Sequence, residues 1–434
     1  MRRCGGVQWL ALVGLCGVAC ASPVAEDDDA AGSAGSSGSS GNNSAGSGSS
    51  TSNGSSTGNG GSGGTDTPIA TDPTVNVPGI DPTLQTPPAG CLRGAQGGVL
   101  ALDLDSKVPA VELVAVDGIV NANGKACTDT SGAPLALSSL YALQITGGSE
   151  DNGVVIDLGS GDWSSLLASP ENLLLNLAEG RNGLLVRGTS GVDNFEHAMR
   201  GGDVVVDLVG DGSIQLVAGG ISELGFSLGD GNDFLDELLP TLEGTEPAAA
   251  AELSPLSVRL LVSGGAGNDW LVGGSKDDSF NGGPGDDVVS GLDGNDDFQS
   301  DAEGDGRDIW NGGPGYDSVS YDLRSENLEL AACLSNAVMG CDSTDCSCST
   351  ESGGVGEGDR LVNVEELSGG SGDDILRGTE ISDTLRGGPG NDSLSGLGGS
   401  DLLSGETGID LLEGGTDGDI CDGRPGETMS SCEI

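Results

Sequence analysis

The chain has 434 residues, a net charge of −52 and 80 glycines, and only 3% of it is aromatic. That charge excludes holding nucleic acid electrostatically, because phosphate contacts need a basic face; the natural counter-charge is a cation. An ordinary globular domain of this length carries more aromatic core and less Gly. What remains is a disordered acidic chain or a repeat architecture with Gly in its turns.

Residues 1–19 read as a signal peptide: Arg2 and Arg3 precede an apolar run, Val7 to Ala19, too short to span a bilayer well. Two processing readings compete. Ala19-Cys20-Ala21 fits small-x-small cleavage after Ala21, which gives a secreted protein. Alternatively Cys20 is the lipid-modified first residue, since Gly17-Val18-Ala19-Cys20 resembles a bacterial lipoprotein processing box with Gly17 where Leu is usual. The protein would then be an outer-membrane lipoprotein facing the cell surface, attached to the membrane through its lipid. Residues 20–66 form a Gly/Ser-rich disordered tether and 67–90 a stiffer Pro/Thr linker. Either cleavage leaves Cys91, Cys127, Cys333, Cys341, Cys346, Cys348, Cys421 and Cys432, an even set in an exported chain, so disulfides are expected.

Residues 91–236 hold short apolar stretches punctuated by Gly and Asp: Val99 to Leu104, Val111 to Val116, Val154 to Leu158 and Val204 to Val209. They predict strands and turns. Leu173 to Leu177 is open between strand and short helix. Gly188 to Phe195 and Leu228 to Leu235 look like isolated, degenerate copies of the unit described next. Residues 237–257, with Pro240, Pro247 and Pro255, read as a linker.

A nine-residue unit then repeats. In block 1 (258–320) units start at Gly264, Gly273, Gly282, Gly291, Glu303 and Gly312, with Ser300 to Ala302 as extra residues. In block 2 (369–422) they start at Gly369, Gly378, Gly387, Gly396, Gly405 and Gly414. The sixth position is Asp in every unit: Asp269, Asp278, Asp287, Asp296, Asp308 and Asp317, then Asp374, Asp383, Asp392, Asp401, Asp410 and Asp419. The eighth is large and apolar, from Leu271 to Leu412, with Cys421 last. A Cys-rich insertion (321–368) separates the blocks, and residues 423–434 form a C-terminal cap. Cys421 and Cys432 are expected to bridge and close the open end; Cys91 with Cys127 is the other expected pair.

The unit is Gly-Gly-x-Gly-x-Asp-x-U-x, with U apolar. Six residues make a turn and three a short strand; U points inward and one coil takes two units. Like positions then stack about 4.8 Å apart, pairing Asp374 with Asp392 and Asp410, and Asp383 with Asp401 and Asp419. Carboxylates about 5 Å apart repel by about 1 kcal/mol in water and by several times more at lower dielectric. A hard dication reverses the sign, and calcium takes six to eight oxygen ligands, which Asp side chains and turn carbonyls can supply. Turn preference alone would admit Asn or Ser at the sixth position, so an unbroken run of Asp reads as ligands.

These units resemble the calcium-binding nonapeptide repeats of repeats-in-toxin (hemolysin-type) proteins over residues 264–320 and 369–422. Gly387-Gly-Pro-Gly-Asn-Asp392-Ser-Leu394-Ser is a full match, whereas Lys276, Ile381 and Asp417 replace the fourth-position Gly. Gly358 to Glu365 resembles a segment that connects blocks in that family. The resemblance implies an all-β fold, a right-handed parallel β-roll, here preceded by a strand-rich region and a tether. It implies Ca2+ as cofactor, and a structural or adhesive role toward a surface or glycan partner.

The alternative is a secreted calcium-dependent hydrolase with its active site in 91–236. Gly225-Phe-Ser227-Leu-Gly229 matches a nucleophile-elbow pattern, but that pattern needs a helix after the Ser and a later His. The lone His197 precedes it and is expected at the surface or in a turn. The reading is therefore a non-enzyme.

Overall fold

The computed structural model describes residues 86–92, 94–238, 253–302, 304–334, 352–354, 357–424 and 426–433. The signal, Cys20, the tether, most of the 67–90 and 237–257 linkers, and Cys341, Cys346 and Cys348 lie outside the described residues. One inward side chain per strand is what the repeat dictates. Ile375–Arg377, Leu402–Ser404 and Ile420–Asp422 each fully bury only their middle residue. Every eighth-position side chain from Leu271 to Cys421 is at most 4% exposed. Burying a Leu, Val or Phe in this way contributes about 1.5–3 kcal/mol each. The inward row is one continuous core, in which Phe298 lies 5.5 Å from Phe280 and 5.4 Å from Trp310, centroid to centroid.

The molecule is a parallel β-roll of two sheets. In the first, Leu376 pairs with Leu394 and Leu394 with Leu412. In the second, Leu385 pairs with Leu403 and Leu403 with Cys421. Partners are 18 residues apart, so one coil is two units. Where the three extra residues intervene the offset becomes 21, and Val289 still meets Trp310. They are absorbed in a turn, and the stack does not slip.

Residues 91–236 continue the same stack. Val99–Asp103, Ala142–Thr146 and Leu173–Asn176 run parallel in the first sheet, so 173–176 is strand. Ala110–Val116, Gly153–Asp157, Gly183–Arg187, Glu223–Asp230 and Arg259–Ala266 run parallel in the second, without a break into block 1. Antiparallel excursions decorate it: Ile119–Ala122 folds back on Ala110–Val116, and Asp203–Asp207 lies between Asn194–Arg200 and Leu216–Gly219. The Cys91–Cys127 bridge sits, fully buried, at this end. At the other, Cys421–Cys432 fastens the tail to the last coil, and Glu433 bridges Ile420.

The insertion enters the roll out of chain order. After Ser318–Ser320, the chain lays Glu329–Cys333 beside the place that Arg360–Val362 will take, so that 360–362 lies between Ile309–Asn311 and Glu329–Cys333. Glu329–Cys333 then pairs with Ile375–Arg377. Cys333 is disulfide-bonded. Among the described residues, no helix is long and apolar enough to cross a membrane.

Candidate metal sites

Each sixth-position Asp immediately precedes a strand, where the turn delivers its side chain between coils. All twelve are buried, none more than 3% exposed. Stacking brings them together in the two predicted rows. One carboxylate oxygen, Oδ1, accepts the backbone N–H of the Asp one coil earlier. In block 2 the contacts are Asp374 to Asp392 at 2.8 Å, Asp392 to Asp410 at 2.9 Å, Asp383 to Asp401 at 2.9 Å and Asp401 to Asp419 at 3.0 Å. In block 1, Asp269 donates to Asp287, Asp278 to Asp296, Asp287 to Asp308 and Asp296 to Asp317, at 2.8–2.9 Å.

The second oxygen explains the first Gly of the unit. A Cβ at Gly291 would lie 1.9 Å from Asp296 Oδ2, and one at Gly396 would lie 2.1 Å from Asp401 Oδ2. The side chain is missing there to make room for the carboxylate. At Asp278, Asp374 and Asp383 that oxygen accepts the N–H of Gly274, Gly370 and Thr379. At Asp233, Asp269, Asp287, Asp296, Asp317, Asp392, Asp401, Asp410 and Asp419 it is buried with no donor. A buried carboxylate oxygen without a partner is costly.

The electrostatics agree. Burial first, and then the carboxylates one coil away, push Asp296, Asp317, Asp383 and Asp392 up to about 7 and Asp287 to about 8. Asp308, buried and facing Asp359, Asp305 and Asp287, rises to about 9. Burial raises Asp278 to about 7.

The rows extend past the residues the sequence pattern singled out. Asp193 N donates to Asp233 Oδ1 at 2.7 Å and Asp233 N to Asp269 Oδ1 at 2.8 Å, which lengthens the first row toward the N-terminus. Asp308 N donates to Asp359 Oδ1, and Asp317 N to Glu365 Oε2, both at 2.9 Å. The signal for them was present: the two isolated unit-like segments and the Gly358 to Glu365 connector supply all four. Their coils are separated from the blocks by insertions, which hid the register.

The residues fit a hard cation. Orphaned carboxylate oxygens point into turns whose backbones touch: a Cβ at Gly285 would lie 1.6 Å from Gly267 O, and one at Gly408 would lie 1.4 Å from Gly390 O. Among the described residues no point gathers three or more His, Cys, Asp or Glu side chains. Two carboxylates per inter-coil space therefore need carbonyl oxygens to complete a calcium shell, as a hard dication accepts.

The hydrolase residues are not assembled. Ser227 lies within the strand Glu223–Asp230, followed by more strand and not by a helix. His197 corrects the expectation: it sits in the strand Asn194–Arg200 in the other sheet and is fully buried. Its Nε2 is 3.0 Å from Val272 O and Nδ1 has no partner. Burial lowers it to about 4, so the ring is neutral and part of the core.

Glycine turns, inward apolar rows and buried Asp rows define a parallel β-roll with carboxylate ladders between its coils. A family model described as the RTX calcium-binding nonapeptide repeat (4 copies) matches residues 263–298, 368–403 and 395–427. Those stretches are similar in sequence to calcium-binding nonapeptide repeats, and their parallel coils agree with that likeness in fold. No curated protein matches the chain.

Proposed function

We propose that the protein is a calcium-stabilised extracytoplasmic β-roll with a structural or adhesive role at the bacterial cell surface. Its ligands are the twelve sixth-position Asp residues, joined by Asp193, Asp233, Asp359 and Glu365. The observation that carries this reading is the set of buried carboxylate oxygens with no donor, aligned coil after coil. The N-terminal signal and Cys20 support export, with a lipid anchor or with release after Ala21. A long Gly/Ser tether suits a roll held away from a membrane. Calcium binding and completion of the fold are one event here, since the unfolded chain offers no such sites. Titration of the full chain with calcium, followed by circular dichroism and equilibrium dialysis, tests it. Several bound ions and a gain of β signal are expected. An unchanged spectrum with no bound calcium would reject the reading. Mass measurement of the exported protein decides between a lipidated Cys20 and a free N-terminus after Ala21.

A further inference from the structure

The row on the first sheet has one break among the described residues, at Leu328. Residues 323–331 are a complete nine-residue unit whose ligand places have been exchanged. Arg324 stands at the second position, Glu326 at the fourth and Leu328 at the sixth, while Leu330 keeps the inward eighth place and is fully buried. Toward block 2 the stacking is nonetheless regular, whereas toward Arg360–Val362 it shifts by two residues, with Ala332 opposite Leu361 and Gly353 bridging Glu329. Leu328 N donates to Asp374 Oδ1 at 2.8 Å and Asp373 N to Asn327 Oδ1 at 3.0 Å. A Cβ at Gly370 or Gly372 would meet the carbonyl oxygen of Arg324 or Glu326, as like positions do elsewhere. This coil occupies a rung and offers no sixth-position carboxylate.

In its turn stands a guanidinium with no solvent exposure. Arg324 Nη2 bonds Asp305 Oδ1 at 2.5 Å and Ser300 Oγ at 3.0 Å; Nε bonds the same Ser300 Oγ at 3.2 Å. Nη1 bonds Glu326 Oε1 at 2.8 Å and Glu357 Oε1 at 2.9 Å. The Tyr321 ring lies 5.8 Å from Cζ, and the Tyr321 hydroxyl donates to Asp359 Oδ2 at 2.6 Å. Asp305 belongs to the coil of Ile309–Asn311, Glu357 to that of Arg360–Val362 and Glu326 to that of Glu329–Cys333. One side chain ties three successive coils through carboxylates, the geometry a planar guanidinium with five donors suits.

We propose that Arg324 is a resident cation that replaces calcium at the junction between the two repeat blocks. The junction then holds its fold without metal, and calcium completes the roll on either side. The proposal rests on reading the flanking rows as calcium sites. Hydrogen exchange of the full chain, read by mass spectrometry in calcium and in chelator, tests it. In chelator the native junction, residues 321–333 and 357–368, is expected to exchange at least about tenfold more slowly than residues 369–422. Arg324→Met should abolish that difference in chelator by raising junction exchange to the rate of residues 369–422. Equal exchange of native and R324M junctions in chelator would overturn the proposal. So would a native junction as fast as the flanking rows. A second variant, Arg324→Gly with Glu326→Gly and Leu328→Asp, rebuilds the repeat pattern. It is expected to bind at least one more calcium by native mass spectrometry, and an unchanged number counts against the proposal. Calcium without effect anywhere would sink the ladder reading and the proposal together, whereas a calcium response with R324M silent would sink this proposal alone.

Discussion

Whether the side chain that bonds one coil to the next is a carboxylate or an amide decides whether a coil needs a cation. Upstream in the second sheet, Asn152 and Asn182 stand immediately before Gly153–Asp157 and Gly183–Arg187, two residues ahead of Val154 and Leu184, which are in register with Asp278 through Leu224 and Leu260. Asn152 N donates to Asn182 Oδ1 at 2.9 Å, and the Asn182 amide donates to Ala178 O and Gly220 O. An amide carries its own donors; a carboxylate does not. The first-sheet row is acidic from Asp193, except at Leu328, and the second-sheet row from Asp278, which accepts from Leu260 N; along those rows the donor must come from elsewhere. Asp392 has carboxylates on both sides, while Asp374 has Leu328 on one. Asp392→Ala is therefore expected to lose more bound calcium on titration than Asp374→Ala; equal losses would contradict the register. The pH dependence has a definite sign. Without metal, Asp287, Asp296 and Asp392 titrate near 7 to 8 in the fold and near 3.8 when free. The folded form thus holds protons that the unfolded form has released. Stability is fully present below about pH 4 and declines as pH rises to about 8. Thermal melts in chelator should show Tm falling over that window. In calcium, which binds the ionised form, the trend should reverse.

At the scale of the coil, glycine and disulfide placement set local cost. Most second positions take a left-handed backbone: Gly388 has φ 97°, while Leu397 and Glu406 hold φ 74° and 63°. A non-Gly residue there costs about 1–2 kcal/mol, so Glu406→Gly should stabilise the calcium-loaded roll by about 1 kcal/mol. A denaturant midpoint that does not rise would refute this. Removing Cys421–Cys432, which closes a separation of 11 residues, is expected to cost about 2–3 kcal/mol locally. The signature is faster exchange in 420–433 alone. This coil-level register was legible because twelve sixth positions and twelve eighth positions repeat without exception. The rungs at Asp193, Asp233, Asp359 and Glu365 were not, because each lies beyond an insertion and periodicity cannot count across it. Arg324 was invisible for a different reason: nothing in its own unit marks it, and its meaning depends on Asp305 and Glu357 from coils that the chain visits out of order. His197 was misjudged because its burial comes from Phe226 in the opposite sheet, stacked at 6.4 Å.

Across the whole molecule, each coil touches only its neighbours, so stability is close to a sum of local terms and unfolding can be partial. The two ends differ in what holds them. The N-terminal coils bury two inward apolar residues per strand, as in Val154 and Ile156, and a further one on the outer face, Val155 with Leu185 and Leu261, together with an Asn152–Asn182 contact and a buried disulfide. The C-terminal coils bury little more than one Leu per strand against a row of carboxylates, and rely on a cation to offset the repulsion. Chelation should therefore unravel the roll from the C-terminal side, slowed at the Arg324 junction, and leave the coils upstream of the Asp rows. Limited proteolysis in chelator is expected to digest residues 369–422 first and to leave a resistant fragment containing residues 91–187. In calcium the repeats should resist along their length. A fragment from the opposite end, or uniform digestion, would mean that calcium does not divide the stack in this way. The resistant coils present open parallel edges on which the first repeats stack, through Gly183–Arg187 to Glu223–Asp230 and on to Arg259–Ala266. They are a template in place before calcium arrives. Folding on calcium addition should then be faster in the full chain than in one whose template is loosened by Val186→Asp, a buried core position in that path. Stopped-flow circular dichroism would read the difference, and equal rates would show that the repeats nucleate by themselves.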